Sequence, residues 1–235
     1  MQDLRVLITL PCVLVACLMA TPARSEAPPE PRAPKPSSMK LFNGKDLMGW
    51  KVAKQHDFQR AGKVSVQDQQ IILEKGRPAT GIVCVKKLPR TNYEVTLQAK
   101  RIAGEDFFCG LTFPVDQGYC SLILGGWGGG VTGLSNIDNM SAVENETTDF
   151  VKFKQDRWYH LRLRVTPSKI EAWVDKRQIV EVETKNRKFS IWWEQEPMRP
   201  FGIASWNTKA ALRDIHVKPL PATSKTQATA PATDK

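Results

Sequence analysis

The chain has 235 residues, of which 41% are hydrophobic and 25% are charged, and its formal net charge is +10. This length suits one domain with a sizeable core. Lys and Arg are spread along the whole sequence and many alternate with Glu and Asp, so the charge predicts a basic, solubilising surface and argues against a nucleic-acid partner. The sequence contains no G-x-S-x-G and no Walker motif, which excludes the enzyme classes that those motifs mark.

The first 25 residues have the layout of a signal peptide. One Arg precedes an apolar stretch from Val6 to Ala20, and Ala23-Arg24-Ser25 offers a cleavage site with small residues. Spanning a bilayer needs roughly 20 apolar residues, so we predict no transmembrane helix. Alternatively, residues 14–17 resemble a lipoprotein signal in which Cys17 becomes the lipid anchor. Both interpretations predict an exported protein that is periplasmic, secreted or attached to the cell envelope.

Two polar tracts bound the predicted domain. Residues 26–38 contain five prolines and almost nothing to bury, which predicts an extended linker. Residues 221–235 are rich in Ala and Thr and are predicted to be disordered. The domain is therefore predicted to span residues 39–220.

Alternation of apolar and polar residues predicts that this domain consists of strands. Residues 93–100, 160–165 and 170–175 alternate strictly, as half-buried antiparallel strands do. A capping-box pattern at Ser141–Glu144 is the one helical signal. Strands repeating about every 8–12 residues predict an all-β, two-sheet antiparallel jelly-roll sandwich. Further strands are predicted near 63–67, 70–74, 81–86, 106–113, 118–124, 148–153, 178–183, 200–206 and 211–217.

Polar side chains on one face of the 160–175 hairpin form a predicted ladder, namely Arg162, Arg164, Glu171 and Trp173. Cross-strand ion pairs on such a face are worth about 0.2–1 kcal/mol each. We interpret the ladder as structural.

Three cysteines follow the leader: Cys84, Cys109 and Cys120. The simplest interpretation is three buried thiols that act as small apolar residues. A Cys109–Cys120 disulfide is the alternative if the hairpin that turns at residues 114–118 makes the two cysteines diagonal neighbours. No C-x-x-C spacing indicates a zinc site.

Residues 122–134 are unusually rich in glycine, and Gly128, Gly130 and Gly133 spell G-x-G-x-x-G. A dinucleotide-binding loop needs a helix directly afterwards, whereas residues 134–138 have no helical period. A bend or bulge on two successive strands explains the glycines better. We predict that this bend clears space around Trp127 and forms the floor of a groove.

The acidic stretch 138–149 supplies the candidate catalytic carboxylates. Glu144 and Glu146 would project to the same side of an extended chain, about 6.6 Å apart by strand rise, a separation compatible with acid–base cleavage of a glycosidic bond. Asp106 is a third candidate, although its position before a strand favours a turn residue. A plain surface loop remains the alternative. So does a calcium site, which would use the oxygen ligands of Asp138, Glu144 and Asp149; no other cofactor is predicted.

Aromatic and polar residues near the predicted groove are the candidate sugar contacts: Trp127, Trp193, Glu194 and Asn136. Trp192 and Trp193 would point to opposite faces if that segment is extended, one to the core and one to solvent or groove. An exposed indole beside a carboxylate suits a saccharide, because the ring stacks on the pyranose while the carboxylate accepts hydroxyl protons. Trp50, Trp158 and Trp206 adjoin apolar runs and are predicted to lie in the core.

Several segments resemble one family of exported proteins. LFNGKDLMGWK at 41–51, Asn92–Val95, the hairpin at 157–181 and the closing run 212–220 are similar to the 3-keto-disaccharide hydrolases, two-sheet domains of the concanavalin A-like type. The resemblance covers residues 39–220. It implies a jelly roll that hydrolyses a glycosidic bond, with a saccharide or glycoconjugate as its partner.

Three segments depart from the family pattern. Residues 118–125 lack both acidic residues of the corresponding family strand, residues 109–114 lack its arginine, and Ala204–Thr208 replaces a late element that contains histidine. Fold transfers more readily than activity. Three functions therefore stay open: a glycosidic-bond hydrolase, a non-catalytic carbohydrate-binding module of the cell envelope, and a structural or adhesive envelope protein.

Overall fold

The computed structural model describes residues 37–221. The predicted signal peptide 1–25, the lipid-anchor candidate Cys17, linker residues 26–36 and tail residues 222–235 lie outside the described residues. Within the described part, no helix is long and apolar enough to cross a membrane.

Residues 37–221 form fifteen strands and two short 3₁₀ helices. The 3₁₀ helices are His56–Phe58 and Trp193–Met198. The strands are β1 Met39–Lys40, β2 Trp50–Val52, β3 Val64–Gln67, β4 Gln70–Leu73, β5 Ala79–Cys84, β6 Tyr93–Ala103, β7 Cys109–Val115, β8 Gly118–Gly126, β9 Val131–Ser135, β10 Asp149–Phe150, β11 Trp158–Val165, β12 Lys169–Val174, β13 Arg177–Glu183, β14 Gly202–Trp206 and β15 Lys209–Pro219.

The strands build two antiparallel sheets packed face to face. The eight-stranded sheet has the order β13-β12-β11-β6-β15-β4-β3, with β1 also paired to β15, and the seven-stranded sheet has the order β10-β9-β8-β7-β14-β5-β2. The side chains between them form one apolar core. The predicted two-sheet jelly-roll sandwich is confirmed.

Side-chain alternation orients β6 as the sequence predicts, whereas β1, β2 and β9 lie outside the predicted strand ranges. In β6, Tyr93, Val95, Leu97 and Ala99 are fully buried, and the residues between them are partly exposed. β7 is buried along its whole length, because one face contacts the core and the other is covered by further side chains. That second face of the seven-stranded sheet carries the site described below.

The three cysteines within residues 37–221 are free and buried, so the disulfide alternative is wrong. The hairpin register places Cys109 opposite Leu124 and Cys120 opposite Phe113. The two thiols are therefore four positions apart, about 13 Å by strand rise, whereas a disulfide needs Cα atoms within about 7 Å. Burial raises the pKa of both thiols to about 12.

The predicted polar ladder lies on the outer face of the eight-stranded sheet. Arg164 Nη2 is 2.9 Å from Glu94 Oε2, and Arg164 Nη1 is 3.9 Å from Glu171 Oε2. The Arg162 guanidinium lies 3.8 Å from the centroid of the Trp173 ring. These contacts confirm the predicted cross-strand pairs.

Of the three tryptophans predicted for the core, only Trp50 is buried. Trp158 lies on the outer face, with Lys100 Nζ 5.0 Å and the Arg213 guanidinium 4.1 Å from its ring centroid. Trp158 begins β11 in the same phase as exposed His160, so strand alternation turns its indole outward. Trp206 is likewise outside the core and is described below.

Candidate functional site

A groove of about 570 Å³ lies on the face of the seven-stranded sheet that points away from the core. Ser121 and Ile123 of β8 line it because they alternate with Cys120, Leu122 and Leu124, which face the core. Other walls come from the loops that follow β6, β8 and β9 and from the segment before β14. The lining residues are Asp106, Phe107, Ser121, Ile123, Trp127, Ser135, Ser141, Val143, Glu144, Trp192, Glu194, Gln195 and Trp206.

The glycine-rich stretch forms the β8–β9 hairpin at one end of this groove. The register between the strands shifts at Leu124/Gly126, which confirms the predicted bulge. The turn closes with a hydrogen bond from Gly129 N to Gly126 O of 3.1 Å. It leaves the Trp127 side chain 47% exposed at the edge of the groove, as the sequence predicts.

Arg101 holds this turn from behind. Its side chain is 5% exposed, and Nη2 donates to the carbonyl oxygens of Asp106 (3.2 Å), Gly125 (3.1 Å) and Gly129 (2.9 Å). A Cβ on Gly125 would collide with that same Nη2. Gly125 is thus needed for the approach of a buried arginine, which no local sequence pattern indicates because Arg101 reads as one more basic residue of β6.

Asp106 lies beside Trp127 in the groove wall. Its Oδ1 accepts a hydrogen bond of 2.7 Å from Phe107 N, and its own N donates to Thr208 Oγ1 at 3.1 Å. Burial raises the pKa of the Asp106 carboxyl, and this effect exceeds the opposing one of nearby Arg101. Asp106 is therefore a partly buried acid that faces a cavity.

Glu144 and Glu146 do not form the predicted pair. Residues 142–147 turn instead of extending, because the buried Asn145 amide donates to the carbonyl oxygens of Leu134, Met140 and Ser141. Glu144 lines the groove, whereas Glu146 points away and pairs with Arg187.

One half of the predicted capping box at Ser141–Glu144 is present, namely the bond from the backbone of Ser141 to the side chain of Glu144. Glu144 Oε2 accepts hydrogen bonds from Ser141 N (3.0 Å) and Ser141 Oγ, and Glu144 N donates to Ser141 O at 2.9 Å. The Ser141 hydroxyl and then its backbone N–H lower the pKa of Glu144. Its carboxylate is therefore ionised at neutral pH and fixed at the groove.

The three residues predicted to hold calcium are not brought together. Asp138 pairs with Arg187 (2.7 Å) and Asp149 pairs with Arg177 (2.8 Å), while Glu144 bonds to Ser141. Among residues 37–221, no group of three or more His, Cys, Asp and Glu side chains is placed to hold a metal ion.

Segment 188–198 forms the wall opposite Trp127. Backbone hydrogen bonds from Asn136 N to Ser190 O (2.7 Å) and from Asp138 N to Lys188 O (2.8 Å) attach it to the chain that leaves β9. Asn136 is buried, and its Oδ1 accepts from Ser135 Oγ at 2.8 Å. Asn136 does not line the groove, so the structure places it as a support for this wall.

The tryptophan pair adopts a different arrangement from the predicted one. Trp192 precedes the second 3₁₀ helix and lines the groove, whereas Trp193 is 58% exposed, packs edge-on against His56 and does not line it. Neither indole enters the core, because the segment is a helical turn and not a strand. Glu194 lines the groove as predicted, next to Gln195, which the sequence analysis did not single out.

Trp206 completes the aromatic lining. It ends β14 and stacks near Phe107, with ring centroids 6.0 Å apart. Strand alternation explains this placement, because Ile203 faces the core and Ala204 and Trp206 face the other side. The groove thus presents three indoles and three carboxylates, and none of its lining residues is Lys, Arg or His.

Solved structures share this architecture at low sequence identity. Domain 4 of AbnA, a GH43 extracellular arabinanase from Geobacillus stearothermophilus solved with arabinotriose, is 15% identical with a TM-score of 0.53, covering 80% of this chain and 95% of that one. A Bacillus subtilis protein of unknown function with a galectin-like fold is 13% identical with a TM-score of 0.55, covering 78% and 94%. At these identities the likeness shows the fold.

Family-level comparison extends over the whole described domain. None of the curated proteins matches this sequence. The family model described as the 3-keto-alpha-glucoside-1,2-lyase-like domain matches residues 37–218, nearly the same span over which the sequence motifs resemble 3-keto-disaccharide hydrolases. The chain is therefore a carbohydrate-related jelly-roll domain and belongs to the 3-keto-alpha-glucoside-1,2-lyase-like family.

Proposed function

We propose that the groove binds a saccharide. The observation that carries this proposal is the convergence of the indoles of Trp127, Trp192 and Trp206 with the carboxylates of Asp106, Glu144 and Glu194 in one cavity. Indole faces pack on the apolar side of a sugar ring, and carboxylates accept its hydroxyl protons. A volume of about 570 Å³ lies within the range of small-molecule sites.

Adjacent tryptophans provide a matched test of this site. Trp192→Ala is expected to weaken saccharide binding at least tenfold, since an aromatic anchor contributes about 2 kcal/mol or more. Trp193→Ala, which removes the neighbouring exposed indole outside the groove, is expected to leave the Kd unchanged. The measurement is calorimetric titration with ligands selected on a glycan array. Equal losses in both variants, or no binding by the unmodified protein, would overturn the proposal.

A second proposed function is cleavage of a 3-keto glycoside in the same groove. The specific observation in its favour is that the two environments move the carboxyl pKa values apart, upward for Asp106 and downward for Glu144. Such a split is how one site supplies both an acid and a base. Membership of a 1,2-lyase-like family supports cleavage by elimination.

The proposed elimination uses the acidity of a proton next to a ketone. Ionised Glu144 takes the proton from C2, the C2–H electrons form the C1–C2 double bond, and the C1–O bond breaks. The protonated fraction of Asp106, which its raised pKa increases, donates its proton to the departing oxygen. The hydrolysis predicted from the sequence would break the same C1–O bond but add water at C1.

Product analysis separates these possibilities. We expect a 3-keto disaccharide to release a monosaccharide and an unsaturated ketone, and Asp106→Asn and Glu144→Gln each to lower kcat by about 100-fold or more. If oxygen from labelled water is found at C1 of the ketone-bearing product when that product is first formed, the reaction is hydrolysis instead. Unchanged kcat in both variants would reject these residues as catalytic.

A further inference from the structure

The groove carries negative charge that no basic side chain neutralises. Eleven of the carboxylates in residues 37–221 form salt bridges, but Asp106, Glu144 and Glu194 are not among them. Arg101 is close enough to favour ionisation of Asp106, yet it is hydrogen-bonded to backbone carbonyls. In a protein with a net charge of +10, three unpaired carboxylates on one cavity are unexpected.

Buried acceptor atoms on one wall of the groove also have no donor. Gln195 is only 5% exposed and lines the groove, and its Oε1 has no hydrogen-bond partner within the described chain. Glu194 Oε2, on the preceding residue, is also buried and has no hydrogen-bond partner within the described chain. Leaving a buried acceptor unpaired costs about 1–3 kcal/mol. Both oxygens have almost no solvent-accessible surface, so a ligand donor pairs with them after the side chains of Glu194 and Gln195 rotate toward the groove.

The aromatic walls favour the same kind of ligand. Indole is the aromatic ring that binds cations best, through its negative face, and three indoles line this cavity. An ammonium group supplies three N–H donors and no acceptor. It would therefore satisfy the unpaired oxygens, the carboxylates and the indole faces together.

We propose that the saccharide recognised here carries a free, protonated amine, as in a 2-amino-2-deoxy sugar, and that anionic sugars are excluded. The inference rests on the proposed saccharide-binding function and specifies its ligand class. The ammonium group lies against Glu194 and Gln195, while the ring stacks on the indoles.

Four monosaccharides that share one ring test the amine requirement without assuming a linkage. The full chain is titrated by NMR with D-glucosamine, N-acetyl-D-glucosamine, D-glucose and D-glucuronate at about pH 6, where an amine is protonated, in the presence of EDTA. Glucosamine is expected to bind at least about tenfold more tightly than glucose or the N-acetyl sugar, and glucuronate most weakly. Equal affinities for the first three sugars would overturn the inference and leave saccharide binding intact.

Two glutamates of one 3₁₀ helix give matched variants. Glu194→Gln keeps the shape and removes the charge, and we expect the ratio of glucose to glucosamine Kd to fall below about threefold. Glu196→Gln is the control, because Glu196 pairs with Arg199 and does not line the groove; the ratio is expected to stay unchanged. Methylammonium is the remaining probe. If it binds as tightly as glucosamine, or if no sugar binds, the saccharide proposal is wrong as well.

Discussion

Arg101 shows how a single buried side chain can determine a stretch of sequence far from it in the chain. Its Nη2 bonds to Gly125 and Gly129 leave no room for a Cβ on the nearer strand. Gly125 and Gly129 are therefore explained by a contact across the sheet. Of the three glycines that resemble a nucleotide loop, Gly128 has a positive φ of 87° and a Cβ on Gly133 would collide with Thr147 O. Sequence reasoning predicted the bulge and the position of Trp127, but contacts between distant residues do not appear in local spacing.

Alanine substitutions at two glycines of this turn distinguish the cost of backbone strain from the cost of a side-chain collision. Gly125 and Gly128 both have positive φ, of 75° and 87°, so alanine costs about 1 kcal/mol of backbone strain at either. A Cβ on Gly125 also meets Arg101, whereas one on Gly128 meets nothing within 4 Å. Urea denaturation should show Gly125→Ala to be less stable than Gly128→Ala by about 2 kcal/mol. Equal losses would show that Arg101 moves freely.

Asp106, which lines the groove, is expected to lower the stability of the folded domain. Because burial raises its pKa above the ordinary 3.8, the ionised form is less favourable in the folded than in the unfolded chain. The penalty is present above the folded-state pKa and disappears as pH falls below 3.8. Asp106→Asn, which keeps the acceptor for Phe107 N, should therefore raise the Tm at about pH 7 and not at about pH 3. A rise of equal size at both pH values would contradict this assignment.

At the scale of elements, the long strands were predictable and the short helical segments were not. Strands such as β6 and β11 alternate over enough residues for one face to be identified. The 3₁₀ helix Trp193–Met198 is too short to show a period. It is fixed by Met198, which packs so closely that a Cβ on Gly81 would lie 2.8 Å from its Sδ. The packing that brings Trp192 and Gln195 to the groove therefore cannot be predicted from a local sequence pattern.

The 141–148 turn depends on one buried amide. Asn145→Ala leaves three carbonyl oxygens without their donor, and we expect a loss of about 3 kcal/mol in the free energy of unfolding. Glu144 should lose its position as well, so ligand affinity should fall in the same variant. Denaturant unfolding and titration measure the two effects.

The control for this turn is Asn139→Ala, at an exposed asparagine a few residues earlier. It should cost about 1 kcal/mol, because Asn139 has a positive φ of 67° that alanine disfavours, and it should leave affinity unchanged. If Asn145→Ala is no more harmful than this control, the amide does not shape the turn.

Within residues 37–221 the domain keeps its thiols out of solvent. Cys84, Cys109 and Cys120 are all buried, and the thiols of Cys109 and Cys120, with a pKa of about 12, are almost entirely protonated at neutral pH. In a variant with Cys12→Ser and Cys17→Ser, reaction with a thiol reagent should proceed only as fast as the domain unfolds. Labelling that is much faster than unfolding would show that a strand opens locally.

Fold class could be predicted for the whole domain, and the site only in part. Trp127, Glu144, Glu194 and Asp106 reach the groove as the sequence analysis proposed. Glu146 and Trp193 do not reach the groove, because each lies in a turn that directs its side chain away from the groove. The sequence therefore predicted which loops contribute to the groove, whereas the direction of each side chain in those loops depended on buried contacts.

The pairing of β1 with β15 has a mechanical consequence. Met39 lies opposite Val217, so the first and last strands of the domain run antiparallel with their free ends at the same edge. Tension applied through both ends would load the β1–β15 hydrogen bonds one after another and not all at once. Force spectroscopy should find that the sandwich opens at low force from this edge, while the groove on the other sheet stays closed until later; a single high-force rupture would contradict this order.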